Sequence, residues 1–297
     1  MVGAIAGHGS VGKGYIALAI AMDVAAGRGT LTGLEISKAG KVAFVSIEDD
    51  LIALQGRQKV IIESVELAVR EEFVAKVSKN FTAISVYGRP EFRLLARTEG
   101  RLCRNEAAIA AFKKTFTGYR LIFVDTLRKF FGIDENRSDE ASEAMSVLEE
   151  IARETGAAVI YIHHLVKPAD TKTETVPTIF DIRGSGALVA DARWAAIYAK
   201  PTAAFAMKEN VSIFESEMAD WRVLDIAKHN HGAGGKHWFK RVNGGVFFGA
   251  DPNASRASIV AGTKAQRIGA PAASKSPVAV KFVTGDQSIA DAVFGRG

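Results

Sequence analysis

The chain has 297 residues, 48% of them hydrophobic and 24% charged. That is enough to bury one sizeable α/β core but too little for two independent enzymatic domains. The net charge of +5 and the pI of 9.2 are compatible with an anionic partner such as a nucleotide or nucleic acid, although charge alone does not establish one. No run of about 18 consecutive apolar residues is present, which excludes a membrane-spanning helix, and residues 1–6 are too short and uncharged for a signal peptide.

The single cysteine, Cys103, excludes an internal disulfide and a multi-cysteine metal site. Its solitary occurrence fits a reducing compartment, so we expect a cytosolic protein. No fixed-period repeat is visible, which argues against a solenoid or a propeller.

Short β-branched and aromatic runs alternate with longer helical patterns, which indicates βαβ units around a mostly parallel sheet. A closing β-hairpin is predicted across residues 237–248, with Gly244-Gly245 as its turn. The fold class is therefore expected to be a three-layer αβα arrangement with a C-terminal hairpin. The other predicted strands are, in chain order, residues 2–6, 41–47, 81–86, 120–124, 157–162, 194–198 and 221–227.

Two helices and two irregular regions complete the predicted organisation. Helical spacing over residues 138–154 predicts an amphipathic helix with Ser138 as N-cap and Gly156 beyond its end. Residues 58–79 are predicted to be a surface helix packed by one face, without chemistry of its own. Residues 165–183 lack periodicity, and a loop of that length in a compact domain usually means function or mobility. Residues 1–250 are predicted to be the core and residues 251–297 a weakly ordered basic tail.

The segment after the first predicted strand has the order of a phosphate-binding P-loop. It reads Gly7-His8-Gly9-Ser10-Val11-Gly12-Lys13-Gly14 and leads into an alanine-rich helical pattern. In a P-loop, backbone N–H groups surround phosphate oxygens at a helix N-terminus, and Lys13 would reach the β- and γ-phosphates. Gly14 stands where a Ser or Thr hydroxyl normally helps to hold Mg²⁺. This departure puts catalysis in doubt more than nucleotide binding; a plain glycine-rich turn is the alternative interpretation.

Three further predicted strands end in polar residues: Glu48-Asp49-Asp50, Asp125-Thr126 and His163-His164. The carboxyl ends of parallel strands form the edge over which nucleotides bind in α/β folds. Asp125 has the form of a Walker B acid, which binds hydrated Mg²⁺ from the strand next to the P-loop. Glu48 is predicted to be the general base that orients and deprotonates the attacking water. Each feature alone has an ordinary explanation, since acids begin turns and a lone histidine is usually a core residue.

Taken together, the chain resembles the plasmid RepA-type hexameric replicative helicases, in the DnaB-like branch of the RecA-fold P-loop ATPases. The resemblance spans roughly residues 2–248 and implies a RecA-like fold, with ATP and Mg²⁺ as cofactors. It is carried by the P-loop, Ser46-Ile47-Glu48-Asp49, Leu121-Ile122-Phe123-Val124-Asp125-Thr126-Leu127-Arg128, Tyr161-Ile162-His163-His164, Arg183-Gly184-Ser185-Gly186, Asp191-Ala192-Arg193-Trp194 and Ala227-Lys228-His229-Asn230.

The resemblance implies roles for the matching residues. Glu48 would be the catalytic base and Asp125 the magnesium acid, acting largely through water. The pair His163 and His164 would relay changes from the γ-phosphate to the DNA-binding loops. Arg193 would be an arginine finger that reaches the γ-phosphate of a neighbouring subunit, which implies a ring rather than a monomer.

Lys228 could assist nucleotide binding from the same interface, although a solvated lysine is nearly as reasonable. A surface arginine is likewise the alternative for Arg193. The partners that the resemblance implies are single-stranded DNA, five further copies of the chain in a hexamer, and a replication initiator or primase. No membrane partner is expected.

In such a ring, residues 165–183 would face the central channel. Lys167, Lys172 and Arg183 would neutralise phosphates of a single DNA strand, with strong salt dependence and little sequence preference. The loop also carries acids, so an ordinary solvated loop remains an alternative. A zinc site at His229, His231 and His237 is disfavoured, because the flanking residues lack second-shell carboxylates.

The function expected from these features is ATP-driven translocation on single-stranded DNA that separates duplex during replication of a plasmid, phage or mobile element. The first predicted strand begins without the leader that usually precedes it in the family, so a shortened or degraded copy is one interpretation. A nucleotide- and DNA-binding module with weak or no hydrolysis is the main alternative. A small-molecule P-loop kinase is a third, which would not explain the paired histidines or Arg193.

Overall fold

The protein is described here by a computed structural model covering residues 1–166, 176–230, 232 and 234–254. Its strands are β1 (Val2–Gly7), β2 (Val42–Ser46), β3 (Phe81–Ser85), β4 (Leu95–Thr98), β5 (Arg101–Arg104), β6 (Leu121–Asp125), β7 (Ala158–His164), β8 (Trp194–Ala199), β9 (Trp221–His229), β10 (Gly235–Asn243) and β11 (Val246–Gly249). Its helices are α1 (Lys13–Ala26), α2 (Leu51–Glu63), α3 (Leu67–Asn80), α4 (Glu106–Phe116), α5 (Leu127–Phe131), α6 (Ser138–Thr155), α7 (Ala187–Ala190) and α8 (Ala203–Lys208). Short 3₁₀ turns occupy Pro90–Phe92, Ile179–Asp181 and Glu215–Asp220.

A single large sheet organises the described residues, in the strand order β11-β10-β9-β8-β1-β7-β6-β2-β3. The strands from β3 to β8 in this order are parallel, and β9, β10 and β11 extend the sheet with antiparallel pairings. β1, β2 and β6 are buried along their whole length, as expected for parallel strands that are covered on both faces. β7 lies between β1 and β6, so the expectation that the Asp125 strand adjoins the P-loop strand is wrong.

Helices cover both faces of this sheet and form two large apolar cores, and a smaller third cluster includes Ala6, Ile197 and Val223. One core joins α1, α2 and α3 to the sheet through residues such as Ile16, Leu54 and Phe73. The other joins α4, α5 and α6 through residues such as Phe112 and Leu148. The predicted three-layer α/β fold with a mostly parallel sheet and C-terminal antiparallel strands is confirmed.

Three local predictions need correction. The predicted helix at residues 58–79 is two helices, α2 and α3, because the chain turns at residues 64–66 to bury Val65. Ser138 is the first helical residue of α6 rather than its N-cap, which is Arg137; Gly156 ends the helix in the left-handed conformation as predicted. The antiparallel hairpin β4–β5 was not predicted, because its short strands are mostly exposed and carry no alternating apolar pattern.

None of the helices in the described ranges is long and apolar enough to cross a membrane. Two predictions fall outside these ranges. One concerns residues 167–175 of the irregular loop, including Lys167 and Lys172. The tail from residue 255 onward, with its expected weak order, is the other.

Candidate nucleotide-binding site

The glycine loop between β1 and α1 has the geometry of an anion cradle. Gly12, at φ 101°, is in the left-handed region and immediately precedes the first residue of α1, Lys13. The first N–H groups of a helix have no partners within the helix, and they carry the positive end of its dipole. No acidic residue lies in the first turn of α1 to compete for them. The loop can therefore bind phosphate oxygens through its backbone.

Lys13 is the loop's own cation, and it is buried. Its Nζ donates to the carbonyl oxygens of Gly7 at 2.8 Å and His8 at 2.9 Å, and lies 3.5 Å from His164 Nδ1. Burial lowers the pKa of Lys13 to about 8, against the opposing effect of Asp125 and Glu48. The ammonium therefore remains mostly protonated at neutral pH, next to the position that phosphates would take.

Two acids reach the same edge from β2 and β6. The acidic turn is fixed by Ser46, whose Oγ accepts from the N–H groups of Glu48 at 3.2 Å and Asp49 at 3.1 Å. Glu48 lies 3.3 Å from Lys129 Nζ and is partly exposed. Asp125 is buried, and burial, followed by the charges of Glu48 and Asp49, raises its pKa to about 7. Asp125 thus exchanges a proton in the neutral range, while Glu48 is open to water.

The space beside Gly14 holds an arginine from α2. A Cβ placed on Gly14 would lie 2.6 Å from Arg57 Nη1 and 3.9 Å from Asp125 Oδ2. A divalent ion at a P-loop normally takes a hydroxyl ligand from this position. Here residue 14 has no hydroxyl group, and the Arg57 guanidinium lies beside it. The residues present therefore fit the phosphates, and the place of the usual hydroxyl ligand does not fit Mg²⁺. The expected role of Asp125 as the magnesium acid stays a prediction.

The two histidines at the end of β7 have different surroundings. His163 is fully buried, and its Nε2–H donates to the carbonyl oxygen of Arg183 at 2.8 Å. Burial lowers the pKa of His163 to about 4, which keeps the ring neutral. His164 is half-buried beside Lys13, and burial followed by the Lys13 charge lowers its pKa. The pair thus connects the P-loop to the backbone of the segment that begins at Arg183.

The antiparallel hairpin supplies a wall of the site that sequence reasoning missed. A cleft of about 380 Å³ lies between the P-loop and the acidic turn on one side and Tyr15, Arg222, Arg241 and Phe247 on the other. Arg222 is buried, donates from Nε to the Val11 carbonyl oxygen at 3.2 Å, and stacks 4.4 Å from the Phe247 ring. Aromatic and guanidinium surfaces of this kind suit the base and ribose of a nucleotide.

Two predicted site residues lie elsewhere in the same chain. Arg193 is exposed just before β8, beside Val2, at the sheet edge opposite the P-loop. Lys228 pairs with the start of β8, and its Nζ donates to the carbonyl oxygens of Val189 and Ala190, both at 2.8 Å. Neither side chain reaches the cleft of its own chain. Any role of theirs at a nucleotide is a role at a neighbouring subunit.

Arg183, the described member of the predicted DNA-binding set, forms an ion pair. Its Nε lies 2.7 Å from Oε1 of Glu135, and its side chain is 43% exposed. Ser185 N–H also donates to the Glu135 carbonyl oxygen at 2.6 Å. Glu135 thus fixes the start of the segment that His163 contacts.

In the described part of the chain, no group of three or more His, Cys, Asp or Glu side chains is arranged to hold a metal ion. The third member of the disfavoured zinc trio, His231, lies outside that part.

Comparison with known proteins agrees with this architecture. The ATPase domain of G40P is 17% identical, with a TM-score of 0.55 and 84% of each chain covered. A DnaB-like replicative helicase, solved to show its interactions with primase, is 18% identical, with a TM-score of 0.54. That match covers 83% of this chain and 58% of the helicase. At these identities the likeness shows the fold, which is that of RecA-like ATPase domains. The model of the AAA_25 family, an AAA domain, matches residues 1–170, more than half of the sequence, and the chain therefore belongs to this family.

Proposed function

We propose that this chain is the ATPase core of a DNA helicase, which assembles into a ring, hydrolyses ATP and moves along single-stranded DNA. The observation that carries the proposal is the meeting of Lys13, Glu48, Asp125 and His164 at one cleft, at the carboxyl edge of the sheet. This combination provides phosphate binding, a candidate base and a polar contact to a neighbouring loop. The family membership and the fold support a helicase-type NTPase.

In the proposed reaction, the P-loop N–H groups and Lys13 hold the triphosphate. Glu48 orients a water, which attacks the γ-phosphorus while the bond to the bridging oxygen of ADP breaks, and Glu48 accepts the proton. Before that step Glu48 must leave Lys129, with which it is paired in this structure. No step is assigned to Mg²⁺, because the residues beside Gly14 do not fit it.

The ring is proposed from the position of Arg193. An arginine at the sheet edge opposite its own P-loop can serve only a neighbour, and an arginine finger of this kind stabilises charge developing on the γ-phosphate. Lys228, close to Arg193, would add a second positive charge at that interface. Six subunits and a primase or replication initiator as partner are proposed from the family resemblance and from the DnaB-like helicase studied with primase.

Coupling to DNA is proposed to pass through the two histidines. Release of the γ-phosphate would change the contact between Lys13 and His164. The preceding residue, His163, donates to the Arg183 carbonyl oxygen and would pass the change to that segment. Lys167, Lys172 and Arg183 would then bind phosphates of single-stranded DNA, and Arg183 would exchange Glu135 for a phosphate.

A second candidate function has one specific observation in its favour. The missing hydroxyl at Gly14 and the guanidinium beside it favour a nucleotide- and DNA-binding module that turns over slowly or not at all.

Measuring ATP hydrolysis with and without single-stranded DNA, on protein whose assembly is followed by sedimentation, tests these functions. A helicase gives DNA-stimulated hydrolysis and displaces a labelled strand from a forked duplex. A binding module gives ATP and DNA affinity without turnover. Hydrolysis that ignores DNA but responds to a small phosphate acceptor would instead indicate a kinase and overturn the proposal.

A further inference from the structure

Arg57 occupies its position beside Gly14 because residue 14 has no side chain. Gly14 is the second residue of α1 and has ordinary helical backbone, so its conformation does not require glycine. Because glycine has no side chain, it leaves space for the Arg57 guanidinium. Arg57 Nη1 lies 2.6 Å from the point where a Cβ would stand, closer than a real Cβ contact allows. A serine at this position and the present Arg57 rotamer therefore exclude each other.

The guanidinium is held in place by its neighbours. Asp49 Oδ2 lies 2.6 Å from Nη1, and Asp49 Oδ1 accepts from Nη2 at 2.8 Å. The Tyr15 ring lies 5.6 Å from the guanidinium carbon. Asp49 is itself fixed through its backbone, since Ser85 Oγ donates to its carbonyl oxygen at 2.7 Å. Asp49 uses two of the five N–H donors of Arg57, so others remain for an incoming oxygen atom.

The charge balance of the cleft depends on this arginine. Three acids line the cleft, Glu48, Asp49 and Asp125; Arg57 pairs with Asp49, and Lys129 pairs with Glu48. Without Arg57, Asp49 would lose the cation paired with it, and the triphosphate would meet an unpaired acid beside Gly14. Charge-assisted bonds from a planar guanidinium suit phosphate oxygens, and Arg57 lies on the side of the P-loop where the missing hydroxyl would be.

We propose that Arg57 is the protein's own counter-charge for the β- and γ-phosphates and takes the place of a divalent cation, so that ATP binds without a metal ion. Asp49 and Tyr15 act as positioning residues for the guanidinium. The inference rests on the proposed function only as far as nucleotide binding, and it holds whether or not the chain hydrolyses ATP.

The test measures the affinity of the full chain for a fluorescent, non-hydrolysable ATP analogue, in excess EDTA and in Mg²⁺. The wild-type affinity is expected to change by less than about threefold between the two conditions. Arg57→Ala should weaken binding in EDTA by about ten- to a hundredfold, the range for loss of a charged hydrogen bond. Arg57→Lys, which keeps the charge but not the planar fork, should recover part of the loss.

Two further variants sharpen the result. Lys59→Ala is the matched control, because Lys59 is on the same helix, is 61% exposed and lies 3.8 Å from Glu63. It should bind like the wild type. Gly14→Ser should displace Arg57 and make binding depend on Mg²⁺. This variant also gives an answer if Arg57→Ala does not fold.

Binding by the wild type that is lost in EDTA would overturn the inference while leaving nucleotide binding intact. Tighter binding by Arg57→Ala would also overturn it, since the arginine would then block the site and have to be displaced by the nucleotide. If the wild type binds the analogue in neither condition, the proposed function fails as well. Lys13→Ala, expected to bind poorly in both conditions, identifies the P-loop as the site being measured.

Discussion

Replacing Lys13 by alanine tests the nucleotide site most directly. In this structure, Lys13 Nζ donates to two carbonyl oxygens, at 2.8 and 2.9 Å. In the complex, we expect phosphate oxygens to accept these two bonds. A hydrogen bond to a charged group contributes about 1.5–3 kcal/mol, so two correspond to roughly 3–6 kcal/mol, and because they replace two bonds to carbonyl oxygens this is the upper bound of the loss. The dissociation constant for ATP should therefore rise by up to about four orders of magnitude.

The fold should survive this change. The Gly7 carbonyl oxygen keeps a second donor, the Leu165 N–H at 3.4 Å, and the His8 carbonyl oxygen is only partly buried and open to water. We expect the melting temperature to stay within about 4 °C of the wild type, the shift that roughly 1 kcal/mol produces in a domain of this size.

Isothermal titration with ATP, with thermal melts and circular dichroism on the same samples, measures both quantities. Lys38→Ala, which removes an exposed lysine far from the loop in sequence, is the control and should leave the affinity unchanged. Wild-type affinity in a folded Lys13→Ala protein would refute the P-loop assignment, and with it the reasoning that places phosphates at the start of α1.

Three further predictions concern proton binding, the metal and the ring. Because burial lowers the pKa of Lys13 to about 8, the bound proton is lost as pH rises through that value. ATP affinity should then fall by up to about tenfold per pH unit above it. An ATP affinity that stays constant to about pH 10 would contradict this. Gly14→Ser should raise Mg²⁺-dependent ATP binding and turnover, measured across a range of Mg²⁺ concentrations. If turnover does not increase, the missing hydroxyl is not what limits the site. Arg193→Ala should keep ATP binding and assembly but lose about three to five powers of ten in hydrolysis, and Glu48→Gln should behave similarly. Mixed rings of these two variants should regain partial activity, because some interfaces pair an intact Glu48 with an intact Arg193; co-assembly without recovery would rule out a shared site.

Several features of this protein follow from local sequence. The glycine loop followed by Lys13 predicts a phosphate site, because only glycine-rich backbone can turn around an anion between a strand and a helix. The polar ends of the strands before Glu48, Asp125 and His163 predict a common edge, because parallel strands carry their carboxyl ends to the same side of a sheet. The boundary at Gly156 follows from the left-handed conformation that glycine tolerates best.

Other features were decided only by tertiary structure. The position of β7 between the P-loop strand and the Asp125 strand depends on crossover connections, which leave no mark in the strands themselves. The break at residues 64–66 places Val65 in the core, and these residues include no glycine or proline from which the break could be predicted.

The side chains that complete the cleft also escaped prediction. Arg57 reaches Gly14 across 43 positions of sequence, and Arg222 reaches Val11 across 211. Each looks like an ordinary surface arginine within its own segment. An exposed arginine and one that fills a binding site have the same local pattern, and they differ only in what packing brings opposite them. The sequence therefore determined the backbone of the phosphate site, whereas folding determined which cations share it.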